Sequence, residues 1–508
     1  MKRILILCLS ILFLVSCGPQ TVDDDIDCAE YPNHIDCIEE TNDRDTVPTD
    51  FIDIYYINDL HGAILSDGEE LGLANIANLI LTKKADNPDN VLFLGGGDLL
   101  QGSALSNYYY GESTIELLNM MDMDAMVIGN HEFDWGLDTV LAYQDGNLEN
   151  GEAEFPFLGA NIFYEGTDDI PVLLDPYTII EKGDKRVGVI GTIGDSLERS
   201  IATKRVEGYE FRDSVSLIAQ YSRYLRTEEN CDIIISLAHE SGDINSALNE
   251  LEGEERIDVI FNAHSHQSFA SLLGGVPQIQ SSANGELVGF VRIHFNEGIV
   301  STYEIDNLSP YKEPLLSEAN SAVSEQIEIY VTETDAIFNT PIITSGDDYS
   351  TYELSEWLTE VMVQATRSDI AFHNYGGTRS SIEENDTITK STIYDIWPFD
   401  NIIKTVELKG SVINALISAN QLAYHTDVST FDDDTLYKVA TNDYVFDKPT
   451  NPFLDGSNIV NTGIILRDMV EDELLLQSEL YDAFYITNGL LINPLINTTT
   501  YHYKSRYN

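Results

Sequence analysis

Basic residues are scarce: Lys and Arg together number 27 in 508 residues, against 86 Asp and Glu, for a formal net charge of -59 at pH 7. Such a field repels a polyanion and excludes nucleic acid as a partner. It also slows the approach of small anionic substrates, so a phosphate site in this chain must bring its own positive charge, most simply as metal ions. Most of the acid excess reads as a solvated surface. Cysteine is sparse too, and its five copies divide by position. Cys8 and Cys17 lie near the start, Cys28 and Cys37 flank an eight-residue gap, and Cys231 stands alone before an apolar run, where it reads as an inert core thiol. Cys28 and Cys37 suit a local disulfide only in an oxidising compartment, and their pairing stays open. After residue 17 no apolar run is long enough to span a bilayer, and no internal repeat is present. What is present, 43% hydrophobic and 10% aromatic residues, is the composition of a folded protein. The length suits two domains plus extra segments, since domains usually span about 100 to 250 residues.

Residues 1–17 begin with Lys2 and Arg3, continue as an apolar run from Ile4 to Val15, and close with Ser16 before Cys17. This is a secretory signal. Leu14-Val15-Ser16-Cys17 resembles the bacterial lipoprotein processing site, which makes Cys17 the expected lipidated first residue of the mature chain. Segment 18–49 carries ten acids and one Arg and reads as an acidic tether. Together they predict an extracytoplasmic protein, lipid-anchored at the bacterial cell surface or periplasmic face.

Regular structure is expected from Phe51. Apolar runs repeatedly end in polar residues of catalytic type. Phe51 to Ile57 precedes Asn58-Asp59-Leu60-His61; Val91 to Leu94 precedes Gly95-Gly96-Gly97-Asp98; Ala125 to Ile128 precedes Gly129-Asn130-His131-Glu132-Phe133-Asp134. Ile233 to Ala238 leads into His239, and Ile257 to Phe261 into Asn262-Ala263-His264-Ser265-His266. Helix-like stretches over Leu71 to Lys83, Ser113 to Met121 and Asp213 to Arg226 intervene, so the region alternates strand and helix. In such sheets ligands collect beyond the carboxyl ends of strands. The groups gathered there form a mixed nitrogen and oxygen set suited to divalent Mn, Zn, Fe or Co. In an extended backbone, residues i and i+2 share a side, which predicts that Asp59 converges with His61 and His264 with His266. Pro314 to Val331 reads as a helix with Val323, Ile327, Tyr330 and Val331 on one face, and a second α/β region follows it.

The ordered series Asn-Asp-Leu-His-Gly, Gly-Gly-Gly-Asp, Gly-Asn-His-Glu-Phe-Asp, Ala-His-Glu and His-Ser-His resembles the calcineurin-like metallophosphoesterases. Among these it resembles the secreted two-domain 5'-nucleotidases and UDP-sugar hydrolases, over residues 50 to 470. The resemblance implies an α/β fold: a four-layer sandwich domain over 50–312, a linker helix over 313–335, and a 5'-nucleotidase C-terminal substrate-binding domain over 336–508. It implies two divalent metal ions, one held by Asp59, His61, Asp98 and His266, the other by Asp98, Asn130, His239 and His264, with Asp98 as the bridge. It gives His131 the phosphoryl group and leaving oxygen, with Asp134 fixing its ring.

In the second domain, Asn374, Gly376, Gly377 and Arg379 resemble the family's Asn-Gly-Gly-x-x-Arg turn. Pro398-Phe399-Asp400-Asn401 resembles its Pro-Phe-x-Asn loop, which implies that Phe399 stacks on a base beside Asn401, with Tyr444 as the opposite face. The chain departs from the pattern after Tyr444, where Phe446 to Phe453 replaces a Gly-rich loop, in the lack of basic residues over Gly346 to Leu358, and at Ala263, where Gly is usual. The implied activity is metal-dependent hydrolysis of phosphate esters of extracellular nucleotides. Two alternatives stand beside it: a 2',3'-cyclic nucleotide phosphodiesterase with 3'-nucleotidase activity, and a surface binding lipoprotein without turnover. Oligomeric state is left open.

Overall fold

A computed structural model describes residues 50–147 and 151–494; the expected signal, Cys17, the tether, and Cys28 with Cys37 lie outside these described residues. The amino-terminal part is built on two six-stranded sheets. The first runs in the order Ile299–Leu308, Val288–Asn296, Phe51–Ile57, Val91–Gly95, Ala125–Val127, Phe157–Leu158. Its last four strands are mutually parallel, and the two carboxyl-terminal strands add antiparallel at one edge. The second runs Ser268–Leu273, Val276–Ser281, Val259–Asn262, Ile233–His239, Lys185–Ile193, Tyr177–Lys182, with parallel centre and antiparallel edges.

Central strands such as Val91–Gly95 are buried on both faces, which is why they read as unbroken apolar runs rather than alternating ones. Ile52, Ile54 and Tyr56 point inward with Leu237, Val259 and Phe261 to form the core between the sheets. Tyr55, Ile57 and Phe93 point outward against the helix Leu73–Asp86 and its neighbours, and Ile234 and Ile260 meet the helix Ser214–Thr227 on the other side. The result is helix, sheet, sheet, helix: the expected four layers. Asp213 sits at the start of Ser214–Thr227 as its cap, accepting from the Ser216 amide at 2.8 Å. Tyr56 stitches the sheets together, its hydroxyl donating to the Asn262 carbonyl at 2.7 Å.

The helix expected over 313–335 is broken. A short 3-10 turn over Pro314–Ser317 comes first, and the helix proper is Ser321–Phe338, opened by Asn320, whose side chain accepts from the Ala322 and Val323 amides. Its buried face, Val323, Ile327 and Tyr330, packs into the first domain's core. The second domain is a five-stranded sheet, Ala423–His425, Ile370–His373, Leu436–Asn442, Ile402–Lys409, Ser457–Ile465, with Thr351–Thr366 and Leu466–Leu480 packed against it. Phe338, Tyr394 and Ala104 form a small apolar contact between the domains. Among the described residues, no helix is long and apolar enough to cross a membrane.

Candidate active site

The expected metal-site residues all lie at the carboxyl ends of parallel strands, on one rim of the sandwich. Asp59, His61, Asp98 and Asn130 come from the first sheet; His239, His264 and His266 come from the second. The two sheets therefore contribute to one place, and stacking them is what assembles it. The expected extended backbone at Asp59–His61 and His264–His266 is not what is found. Asp59, His61, Asp98, His264 and His266 have φ of 49°, 51°, 52°, 67° and 54°. Each pair converges through left-handed turns, a conformation that costs an L residue roughly 1–3 kcal/mol and gathers at functional sites.

Side-chain donor atoms form two groups, Asp59 with His61 and His266, and Asp98 with His239 and His264, each within 4.8 Å of one another. His61 Nε2 faces His266 Nε2 at 3.1 Å. The Nδ1–H of His61 donates to the Gln101 carbonyl at 3.2 Å, which leaves Nε2 as a lone pair aimed at another nitrogen. In the same way His239 donates from Nδ1 to the Gly96 carbonyl at 2.8 Å and turns Nε2 toward Asp98 Oδ2 at 3.1 Å and Asn130 Oδ1 at 3.2 Å. His264 Nδ1 is 2.9 Å from that same Asn130 oxygen. Two ring nitrogens facing each other at His61 and His266, with the far nitrogens of His61 and His239 tied to carbonyls, are the donor chemistry of a cation site. His239 also pairs with Asp98: burial works against its charge, but the Asp98 carboxylate outweighs it and lifts the imidazole to about 10, so a cation there would take the place of its proton. Burial, with the neighbouring His131 charge, holds His61 well below its ordinary pKa, and burial with nearby His239 or Arg379 pushes His264 and His266 down to about 4. All three are neutral imidazoles at pH 7, as ligation requires.

Close approach demands glycine here. A Cβ on Gly97, whose φ is 82°, would come within 2.7 Å of His239 Nδ1, and one on Gly129 within 2.3 Å of Asp98 Oδ1. His131 follows Asn130 on a 3-10 turn, His131–Phe133, with its amide donating to Asp98 Oδ1 at 2.7 Å. Its Nδ1 lies 2.8 Å from Asp134 Oδ2. Burial works against a charge on this ring, but the carboxylates of Asp134 and Asp98 outweigh it and lift the imidazolium to about 9. With Nδ1 tied down, Nε2–H is the free donor.

The second domain reaches this rim through the loop at Pro398–Phe399 and through Arg379. Gln101 Nε2 and Asn107 Nδ2 of the first domain donate to the Pro398 carbonyl at 2.9 and 3.2 Å. The next residue, Phe399, stacks on the His131 ring at a centroid distance of 5.4 Å and 20°. Arg379 lies 6.0 Å over the Phe399 ring. Asn374 accepts from Asn442 Nδ2 at 2.9 Å, and Gly377 is packed so closely that a Cβ would meet His373 at 2.7 Å, whereas Gly376 faces open space. Asn401 is half-buried and its carbonyl accepts from the Leu466 amide at 2.9 Å. Tyr444 sits on the short helix Asp443–Phe446. Among the described residues it makes no ring contact with Phe399; its partner is Lys448, 3.9 Å over its ring. The structure thus brings Phe399 and Arg379 to the site and leaves Tyr444 apart from Phe399.

Family models match on both sides of the linker: calcineurin-like phosphoesterase over residues 52–268, and the 5'-nucleotidase C-terminal domain over 331–431. The chain belongs to the two-domain family that joins a calcineurin-like phosphoesterase domain to a 5'-nucleotidase C-terminal domain. Such proteins are hydrolases. The chain is 26% identical over 449 residues to endonuclease YhcR of Bacillus subtilis, covering 81% of the chain and 36% of that protein. It is 25% identical over 414 residues to human 5'-nucleotidase, covering 71% of the chain and 70% of that enzyme. The fold is that of the 5'-nucleotidase precursor from Thermus thermophilus, with a TM-score of 0.72 at 22% identity over 84% of this chain and 97% of that one. The chain spans about a third to three fifths of the length of the first bacterial relatives it matches.

Two residues of the site were not singled out by sequence. Glu132 is fully buried, its Oε2 accepting from the Asp98 and Gly129 amides at 2.8 Å and its Oε1 from those of Leu99 and Leu100 at 3.0 and 3.3 Å. It clamps the Asp98 loop to the Gly129 loop. An acid between His131 and Asp134 was the available signal, masked by the chemistry of its neighbours. Gln101, also buried, carries both the His61 and the Pro398 contacts; a lone Gln after a strand carries no signal by itself.

Proposed function

We propose that the chain hydrolyses phosphate esters of extracellular nucleotides, as a 5'-nucleotidase, at a dinuclear divalent metal centre. The observation that carries this reading is the pair of donor groups, Asp59 with His61 and His266 and Asp98 with His239 and His264, each gathered within 4.8 Å at one rim of the sandwich. Asp59, His61, Asp98 and His266 would hold one ion, and Asp98, Asn130, His239 and His264 the other, with Asp98 shared. Mn, Zn, Co and Fe all accept such mixed nitrogen and oxygen donors. Two ions so placed would supply positive charge to the phosphate oxygens and would acidify a water for in-line attack.

The chain's own residues do the rest. His131, held as imidazolium by Asp134, donates its Nε2 proton to the departing ester oxygen as the P–O bond breaks, a contribution of about 10² to 10⁴ in rate. Phe399 is at hand to stack a nucleobase and Arg379 to meet the phosphate or ribose; in this reading Asn374, Gly376, Gly377, Asn401 and Tyr444 complete the pocket. The chain is read as exported and anchored through lipidated Cys17. Phosphate release from a panel of 5'-mononucleotides, UDP-sugars and 2',3'-cyclic nucleotides, with Mn or Zn added, tests the reading. Turnover of 5'-mononucleotides supports it; turnover of cyclic esters alone replaces it with the cyclic phosphodiesterase; no turnover of any, with metal bound, leaves the binding lipoprotein.

A further inference from the structure

The amide of an Asn side chain can be turned over without changing its shape, so which end it presents is set by its neighbours. For Asn442 the neighbour is a backbone group. Asn442 caps the short helix Asp443–Phe446, where its Oδ1 accepts from the Val445 amide at 2.8 Å, and a backbone N–H can only donate. Its Nδ2 therefore faces the other way, where it donates to His373 Nδ1 at 2.9 Å and to Asn374 Oδ1 at 2.9 Å. Asn442 and His373 are both fully buried.

Because His373 Nδ1 accepts, the ring is neutral and carries its one proton on Nε2, turned on Thr378 Oγ1 at 3.4 Å. A charged ring would set N–H against N–H. Burial acts in the same direction, holding the ring's pKa down to about 3. Because Asn374 Oδ1 is occupied, its free end is Nδ2, which makes no hydrogen bond among the described residues. Asn374 is half-buried and opens a turn that runs through Gly376, which faces open space, to Arg379, 6.0 Å over the Phe399 ring. His373 also underlies this turn directly, since a Cβ on Gly377 would come within 2.7 Å of its ring.

We infer that His373 and Asn442 are positioning residues that fix Asn374 as a hydrogen-bond donor, so that the pocket selects a nucleotide with an acceptor atom at that point. The inference rests on the nucleotidase reading of the site and adds to it the polarity of one contact. Turning the Asn374 amide over would set its Nδ2 against Asn442 Nδ2, donor on donor, in a buried place, so the turn has no oxygen to offer there. Asn442 in turn cannot follow it, because its own oxygen is held by Val445 and its second N–H by His373.

The test uses the metal-loaded full chain with adenosine 5'-monophosphate and nitrophenyl phosphate. Asn442→Asp keeps an oxygen for the Val445 amide but turns a second oxygen, in place of the two N–H bonds, on His373 and Asn374. Asn374 should then turn over and present its oxygen to the nucleotide. KM for the nucleotide should rise about 5-fold to 50-fold with kcat within about 3-fold, while nitrophenyl phosphate changes less than about 2-fold. In an Asn374→Ala background the same substitution should add less than about 2-fold, because its effect passes through that amide. His373→Leu should act as Asn442→Asp does, and His373→Asn, which keeps an acceptor near the Nδ1 position, should restore most of the loss. An unchanged KM, equal losses on both esters, or full additivity with Asn374→Ala would overturn the inference. Imidazole nitrogen NMR of the wild type, with His373 assigned by difference from His373→Asn, is independent of turnover: a neutral Nε2–H tautomer supports the inference, and a proton on Nδ1 overturns it. Should neither ester be hydrolysed, the nucleotidase reading fails instead, and the polarity inferred for Asn374 is still decided by the tautomer.

Discussion

Replacing His131 with Ala separates ligand from proton donor. The ring is fixed by Asp134 at 2.8 Å and faced by Phe399 at 5.4 Å, and it shares no donor group with the metal-site residues. Loss of a positioned general acid should lower kcat by about 10² to 10⁴, or about 2.7 to 5.4 kcal/mol in the barrier, for an ester whose leaving group is a sugar hydroxyl. A nitrophenolate leaves readily without a proton, so the same variant should lose about 10-fold or less on nitrophenyl phosphate. The fold loses little: the ring contact with Phe399 is worth about 0.5 to 1.5 kcal/mol. The assay is phosphate release from both esters, with bound metal counted by elemental analysis on the same samples. Metal content falling with activity would make His131 a ligand. Equal losses on the two esters would remove the leaving-group role.

Asp98→Ala should lose metal and nearly all turnover, because its carboxylate faces His239 at 3.1 Å and the His131 amide at 2.7 Å; full activity after exhaustive chelation would sink the dinuclear reading. Glu132→Gln turns an NH₂ toward backbone N–H groups and should cost about 1 to 3 kcal/mol in denaturant unfolding and about 10-fold to 100-fold in metal affinity, where no change in either would demote the clamp. Phe399→Ala should lower kcat/KM for a nucleotide about 5-fold to 150-fold with nitrophenyl phosphate little affected, and Tyr444→Ala should do so only if Tyr444 meets the base; parallel losses on both esters would make the aromatics structural. Expressed in a bacterium, the protein should partition into detergent, and Cys17→Ala should release it or leave it unprocessed; a freely soluble wild type refutes the anchor.

The sandwich was legible because parallel strands buried on both faces leave unbroken apolar runs, and each run ended in the residue that the structure places at the rim. Phe51–Ile57 was readable to the residue. The backbone at Asp59, His61, His264 and His266 was not, since nothing in an Asp or a His announces a left-handed φ as a glycine would. The linker helix starts late because Asn320 caps it, a signal overshadowed by Pro314, which opens only a short turn. Glu132 and Gln101 act through contacts to other loops, and long-range partners of a single polar residue are not encoded by its spacing. Tyr444 shows the same limit: its alignment was readable, but its engagement with Lys448 depends on how loop 444–448 closes.

The left-handed residues at the rim set stability against function. Asp59, His61, Asp98, His264 and His266 each occupy a conformation that glycine would adopt without strain. A thermostability screen run on chelated protein would therefore favour glycine at the exposed His266, though not at Asp59 or Asp98, whose buried carboxylates accept from the His264 and His131 amides, and would enrich for chains that fold better with one metal-site residue gone. The same screen run with metal present would reject them, because a cation bound by the native state adds stability that the glycine chains lack. Whether such substitutions accumulate thus depends on the metal supply under which the lineage is propagated.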